Sequence, residues 1–264
     1  MHVEIKVLGS LEVSVAGNSI VPSASKPSQL LAMLALNPGR VVTVDALTEE
    51  IWEYHPPRSG VPTLQTYVLK LRRRLQQALR GSEDVSSKDV LGTRRAGYVL
   101  DVEPDDVDAV KYDRLSAAGR RAVNAGDHLK ASQLLSEALT LWRGAALADV
   151  TTGPLLSIEA LRLEENRLGD MHLRIQADLC LGRHHQLLGE LATLCARHPT
   201  MENFCEQHMV ALHRSGRRCQ ALEAYHRLRS TMVDQLAVEP SPRVRRLHSA
   251  ILNGGAAVEE AMVS

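Results

Sequence analysis

The chain has 264 residues, enough for two domains of ordinary size, and its 31 basic side chains balance its 31 acidic ones. No apolar run reaches the ~18 residues needed to cross a bilayer, and no signal-peptide pattern opens the chain, so the expectation is a cytoplasmic protein without a membrane partner. With one Phe, two Trp and five Tyr, it lacks the aromatic platforms that stack single-stranded bases.

From the N-terminus, Val3 to Leu8 and Leu11 to Val15 alternate apolar and polar residues and break at Gly9-Ser10 and Ala16-Gly17-Asn18. They predict a small antiparallel sheet. A helical pattern runs from Lys26 through Leu30, Leu31, Leu34 and Ala35 and stops at Asn37-Pro38-Gly39. Thr43 is placed to cap a second helix carrying Leu47, Ile51 and Trp52, which ends before Pro56-Pro57.

The third helix, Thr63 to Leu79, is the most informative. Spaced 100° apart, Leu64, Val68, Leu71, Leu75 and Leu79 form one apolar stripe. Thr66, Lys70, Arg73 and Gln77 occupy the opposite face, with Arg72 and Arg74 on its flanks. Lys and Arg can donate to guanine O6 and N7, and Thr and Gln can meet other base edges, so this face suits a major groove. On its own the helix reads equally well as a solvated amphipathic surface.

Its neighbours decide the matter. Residues 58–98 hold nine basic side chains against three acidic ones, a local +6 in a chain of zero formal charge. Residues 1–100 sum to +3 and residues 101–264 to −3. Such asymmetry fits one domain that meets nucleic acid. Beyond a polar segment from Ser82 to Lys88, which reads as mobile, Val90-Leu91 and Tyr98-Val99-Leu100 flank Gly92 to Gly97 as a hairpin. Arg94 and Arg95 would then lie beside phosphates or a minor groove, with Gly97 allowing a tight turn. Strands, three helices and a hairpin make a winged helix-turn-helix preceded by a sheet. Tyr67 and Tyr98 could bond phosphate or simply pack with their hydroxyls at the rim.

In the second half, Gly126, Gly182 and Gly216 each separate two apolar-periodic segments. Five, nine and twelve residues beyond them stand Ala131, Leu135 and Ala138; Leu187, Leu191 and Leu194; and Ala221, Tyr225 and Leu228. Those are tetratricopeptide offsets, and Gly182 to Gly216 is the 34-residue period. Pro199 closes the second unit. A 22-residue insertion around Trp142 to Leu156 carries Gly144, Gly153 and Pro154 and reads as a loop. Stacked helix pairs of this kind bury faces they cannot bury alone and usually bind protein.

No nucleotide-binding glycine loop, nucleophile elbow or HExxH pattern is present, so no enzyme, cofactor or metal is expected. Cys195-x2-His198 and Cys205-x2-His208 carry ligand types that zinc accepts, but both cysteines continue apolar helix faces and read as core thiols. Trp52 and Trp142 read as core anchors, and Asp105, Asp106 and Asp108 as carboxylates at a helix start.

The segments LGSLEV (8–13), KPSQLLAMLALNPGRVVTVDALTEEIW (26–52), PPRSGVPTLQTYVLKLRRRL (56–75), RRAGYVL (94–100), ALTLWRGAALADV (138–150) and ALHRSGRRCQALEAYHRLRSTMVDQLAVEPSPRVRRLHSAIL (211–252) resemble the Streptomyces antibiotic regulatory protein family. That resemblance implies a mainly α protein with a small β component. An OmpR-type winged-helix DNA-binding domain would span residues 1–102, an all-α, tetratricopeptide-like bacterial transcriptional activation domain 103–252, and a disordered tail 253–264.

It further implies a transcriptional activator of antibiotic or other secondary-metabolite genes, homodimeric on direct repeats of double-stranded DNA. RNA polymerase holoenzyme, including its sigma subunit, would be recruited by contact. The DNA-binding set is Thr63, Thr66, Tyr67, Lys70, Arg72, Arg73, Arg74, Arg94, Arg95 and Tyr98, and Glu53, Tyr54, His55 and Arg58 are the polymerase-contact candidates. A DNA-binding repressor and a repeat scaffold that ignores DNA are the rival readings.

Overall fold

The computed structural model describes residues 3–53, 55–80 and 85–254. Their packing separates two compact units that are not consecutive along the chain. One takes the described residues up to Ala118 together with Ser136–Gly169, and the other takes Gly119–Leu135 with the described residues from Asp170 onward.

In the first unit, β1 (Val3–Lys6), β2 (Glu12–Val15) and β3 (Asn18–Ser19) form an antiparallel sheet in that order, with Val3 opposite Val15 and Ile5 opposite Val13. The alternation seen in the sequence is the reason: Val3, Ile5, Val13 and Val15 are buried while Glu4 and Glu12 face out. At the β2–β3 turn Ala16 and Gly17 both have positive φ, 50° and 79°, as a type I′ hairpin turn requires.

Helix α1 (Ser25–Ala35) buries Leu30, Leu31 and Leu34, and a short strand β4 (Val41–Thr43) follows the breaker cluster. Helix α2 (Val44–Trp52) opens on the expected cap, the Thr43 hydroxyl accepting from Ala46 N at 3.2 Å. Helix α3 (Gly60–Ala78) begins three residues before the expected Thr63, because Pro62 lies in its first turn, where a missing N–H costs nothing. The short α4 (Ser87–Val90) leads into β5 (Leu91–Arg94) and β6 (Gly97–Leu100). A second antiparallel sheet has the order β4-β6-β5, so β6 is central. No local pattern announces β4, whose partner lies more than fifty residues away.

Of the insertion read as a loop around Trp142 to Leu156, residues 141–153 form no helix or strand but are tied down, and Pro154–Leu156 open α7. Arg143 N, Leu147 N and Ala148 N donate to Leu8 O, Val7 O and Gly9 O at 2.8, 2.9 and 3.1 Å. In return Leu11 N donates to the Asp149 carboxylate at 2.7 Å, and Val7 N and Leu8 N donate to the Asp108 carboxylate at 2.8 and 3.1 Å. Burial raises the Asp108 carboxyl above its ordinary range despite these donors. Trp142 anchors the segment, meeting Tyr112 edge-on at 5.5 Å in the same core as Leu47, Leu64 and Leu75.

The remaining helices are α5 (Asp108–Asn124), α6 (His128–Thr140), α7 (Pro154–Cys180), α8 (His184–Arg197), α9 (Glu202–Arg214), α10 (Arg218–Leu236) and α11 (Pro242–Leu252). Gly126, Gly182 and Gly216 sit between α5 and α6, α7 and α8, and α9 and α10 with φ of 72°, 76° and 74°, left-handed closures open to glycine at little cost. All nine residues at the repeat offsets are buried. In the second unit the buried Asp178 accepts from Ser132, Arg174 and Arg183, so its charge is matched by two guanidinium groups. Asn253 and Gly254 follow α11 in a turn, and the rest of the tail expected to be disordered lies outside the described residues.

Candidate nucleic-acid interface

Helix α3 is held by one face and presented by the other. Leu64, Val68, Leu71, Leu75 and Leu79 are all at most 2% exposed, and each such burial contributes about 1.5–3 kcal/mol relative to exposure. Thr66, Lys70, Arg73 and Gln77 are exposed along the opposite side. Among the described residues neither Lys70 nor Arg73 has an ion-pair partner, so both cations are available to an external anion or base edge. The Thr66 hydroxyl turns back to Pro62 O at 3.0 Å, and Thr63 is half-buried. Leu69, which the helical phase does not single out, is 49% exposed beside Lys70. It offers the methyl surface that a thymine C5-methyl can meet.

The flanking arginines are used differently. Arg72 donates through Nε and Nη2 to Leu91 O at 2.9 and 2.8 Å and through Nη2 to Thr93 Oγ1 at 2.8 Å. It fastens α3 to the first strand of the wing. Arg74 reaches Val21 O at 3.2 Å. Both stand in the DNA-binding set expected from the sequence, and the structure gives each a hydrogen-bond partner within the fold.

The wing is a tight hairpin in which Arg94 pairs with Gly97 across a two-residue tip, Arg95-Ala96, that is fully on the surface. Arg95 has no ion pair among the described residues, whereas Arg94 lies 3.9 Å from the Asp101 carboxylate. Gly97 is needed here for a reason other than the expected turn geometry. A Cβ at that position would lie 2.0 Å from Val42 O on β4, so only glycine lets the two strands approach.

Tyr98 leaves the set of contact residues: it is 7% exposed, sits opposite Val42 on β6 and belongs to the core. Tyr67 is half-buried against Trp52, ring centroids 6.4 Å apart and nearly parallel, and Lys26 Nζ lies 5.3 Å from the Trp52 ring.

Between α2 and α3, Glu53, His55 and Arg58 are exposed, and Glu53 ends α2 with a φ of 54°. Tyr54 lies outside the described residues. The base of α2 is fixed by Glu50, 1% exposed, which the sequence did not single out. Its carboxylate accepts from Gly153 N at 2.6 Å, Leu155 N at 2.9 Å, Leu156 N at 3.0 Å and the Gln29 side chain at 2.9 Å. It therefore satisfies the free N–H groups that open α7.

Among the described residues no helix is long and apolar enough to cross a membrane, and no group of three or more His, Cys, Asp or Glu side chains converges as metal ligands do. Chemically, the site offers exposed hydrogen-bond donors on α3, with Lys70 and Arg73 in no ion pair among the described residues, and a cationic hairpin tip at Arg95.

Two family models match the chain. The C-terminal domain of transcriptional regulatory proteins covers residues 18–100, and the bacterial transcriptional activator domain covers residues 107–252. Regulatory protein DnrI of Streptomyces peucetius is 47% identical over 256 residues, covering 97% of this chain and 94% of that protein. Transcriptional regulator RedD of Streptomyces coelicolor is 36% identical over 253 residues, covering 95% of this chain and 70% of its own length. Among solved structures, Mycobacterium tuberculosis EmbR, in complex with a low-affinity phosphopeptide, superposes with a TM-score of 0.86 at 31% identity, over 99% of this chain and 68% of EmbR.

Proposed function

We propose, for a chain that belongs to the Streptomyces antibiotic regulatory protein family of DNA-binding transcriptional activators, a division of labour among its basic residues. Lys70 and Arg73 read base edges in the major groove, with Thr66 and Leu69 beside them, and Arg95 at the wing tip holds a phosphate. Arg72 and Arg74 position these groups rather than supply the contact. The observation that carries this reading is the exposed face of α3, on which Lys70 and Arg73 have no ion-pair partner among the described residues.

Its genes are those of an antibiotic or related secondary-metabolite pathway, a reading supported by the likeness to DnrI and RedD. As one winged helix buries a modest surface, specificity calls for two copies side by side on direct repeats. The exposed loop containing Glu53, His55 and Arg58, together with Tyr54, is the surface offered to polymerase holoenzyme and its sigma subunit. Residues 1–102 and 103–252 are taken as the DNA-binding and activation domains, with 253–264 as a tail.

The test is run-off transcription by the cognate holoenzyme from a template bearing the protein's own operator. Transcript should rise with added protein and fall to the basal level with Arg73→Ala. Repression by the wild-type protein would overturn the activator assignment, and undiminished activation by the variant would overturn the role of Arg73.

A further inference from the structure

The second unit holds a cleft of about 320 Å³ whose floor is α9 and whose walls are α8 and α10. Ligand pockets run from ~300 to 1,000 Å³, so it suits a compound of one fused-ring system. Both Cys-x2-His pairs noted in the sequence converge on it: Cys195, His198, Cys205 and His208 all line it. Ala224 and Leu228 add apolar surface, and Arg227 stands exposed at its mouth.

Three observations define what the cleft would accept. Burial pushes the Cys195 thiol up to about 11 and the Cys205 thiol up to about 12, so at neutral pH both are protonated and present soft, weakly polar sulfur to the cleft. The His208 imidazole, 7% exposed, has a buried Nδ1 with no hydrogen-bond partner among the described residues. Burial first, and the charge of Arg227 second, hold it below the ordinary histidine range, so it is neutral. Arg227 has no ion pair among the described residues, yet its charge is felt by Cys195, Cys205 and His208.

We infer that this cleft is a binding site for a small apolar molecule bearing one anionic group, whose ring system lies against Cys195, Cys205 and Leu228 while the anion meets Arg227. The cleft belongs to the second unit and the DNA-reading helix to the first, and the inference stands or falls independently of that helix.

The experiment is a fluorescence titration of the full chain with 1-anilinonaphthalene-8-sulfonate, an apolar ring system with one sulfonate, alongside N-phenyl-1-naphthylamine, the same rings without the charge. The sulfonate should saturate at one per chain, be displaced by decanoate, and bind at least tenfold tighter than the neutral amine. Arg227→Gln should remove that preference, and Ala196→Trp, at an exposed position on the cleft wall, should block both probes. Non-saturating binding, equal affinity for the two probes, or affinities unchanged in Arg227→Gln would overturn the site. Should Ala196→Trp fail to fold, the comparison of the two probes on the wild type and Arg227→Gln decides alone.

Discussion

Arg72 and Arg73 are neighbours with different employment, and the difference is testable. Arg73 is exposed without an ion pair among the described residues, so Arg73→Ala should leave folding intact and cost about 1–3 kcal/mol of binding at one base position, measured by competition between single-base operator variants. Arg72 holds Leu91 O and Thr93, and its truncation should instead lower the melting temperature, by the equivalent of about 1.5–3 kcal/mol for a hydrogen-bonded charged group. Arg95→Ala should weaken all duplexes alike and reduce the slope of log affinity against log salt by about one. If Arg72→Ala melts like the wild type, the wing is not held by that residue.

At the scale of elements, Glu50 does the most that local sequence could not announce. It sits on α2 and closes the first turn of α7, more than a hundred residues on in sequence. Glu50→Ala should orphan several buried N–H groups and destabilise the protein by about 3 kcal/mol or more, read from denaturant midpoints. A loss under about 1 kcal/mol would contradict its capping role. Gly97→Val should abolish the wing, since even a Cβ would meet Val42 O at 2.0 Å.

These two positions also show what a sequence can and cannot reveal. The stripe of α3, the Thr43 cap and the glycine-separated helix pairs were legible because their causes lie within a few residues: periodicity, a hydroxyl three positions ahead, a left-handed closure. Strand β4, the docking of residues 141–153 on the β1–β2 turn, the burial of Tyr98 and the internal partners of Arg72 were not. Each depends on a partner brought close only by the finished fold. The candidate site was thus legible as a face of cations, but not which of them the fold itself consumes.

At the scale of the whole molecule, the buried histidines set a pH dependence. Burial is the main cause that lowers His172 and His208 below 6.5; for His172 a hydrogen bond with Gln207 partly opposes it and Arg243 adds to it, and for His208 Arg227 adds to it. With the folded value depressed, the unfolded chain binds more protons near pH 6, so stability is present above the unfolded pKa of ~6.5 and is lost as pH falls through the folded values. The melting temperature should therefore lose the histidines' share as pH falls below about 6.5, and the loss should be smaller in His208→Gln than in the wild type. A loss as large in His208→Gln as in the wild type would contradict it.

If this activator reads duplex sequence through the exposed face of α3, selection of sites from a random duplex library by the 264-residue chain at near-physiological salt will show it first. A motif repeated in the same orientation at about one helical turn, ~10–10.5 bp, should be enriched, with the base preference lost at one position in Arg73→Ala. Retention that enriches no sequence and vanishes as salt rises would mean that the basic face holds phosphates only, and would contradict that reading.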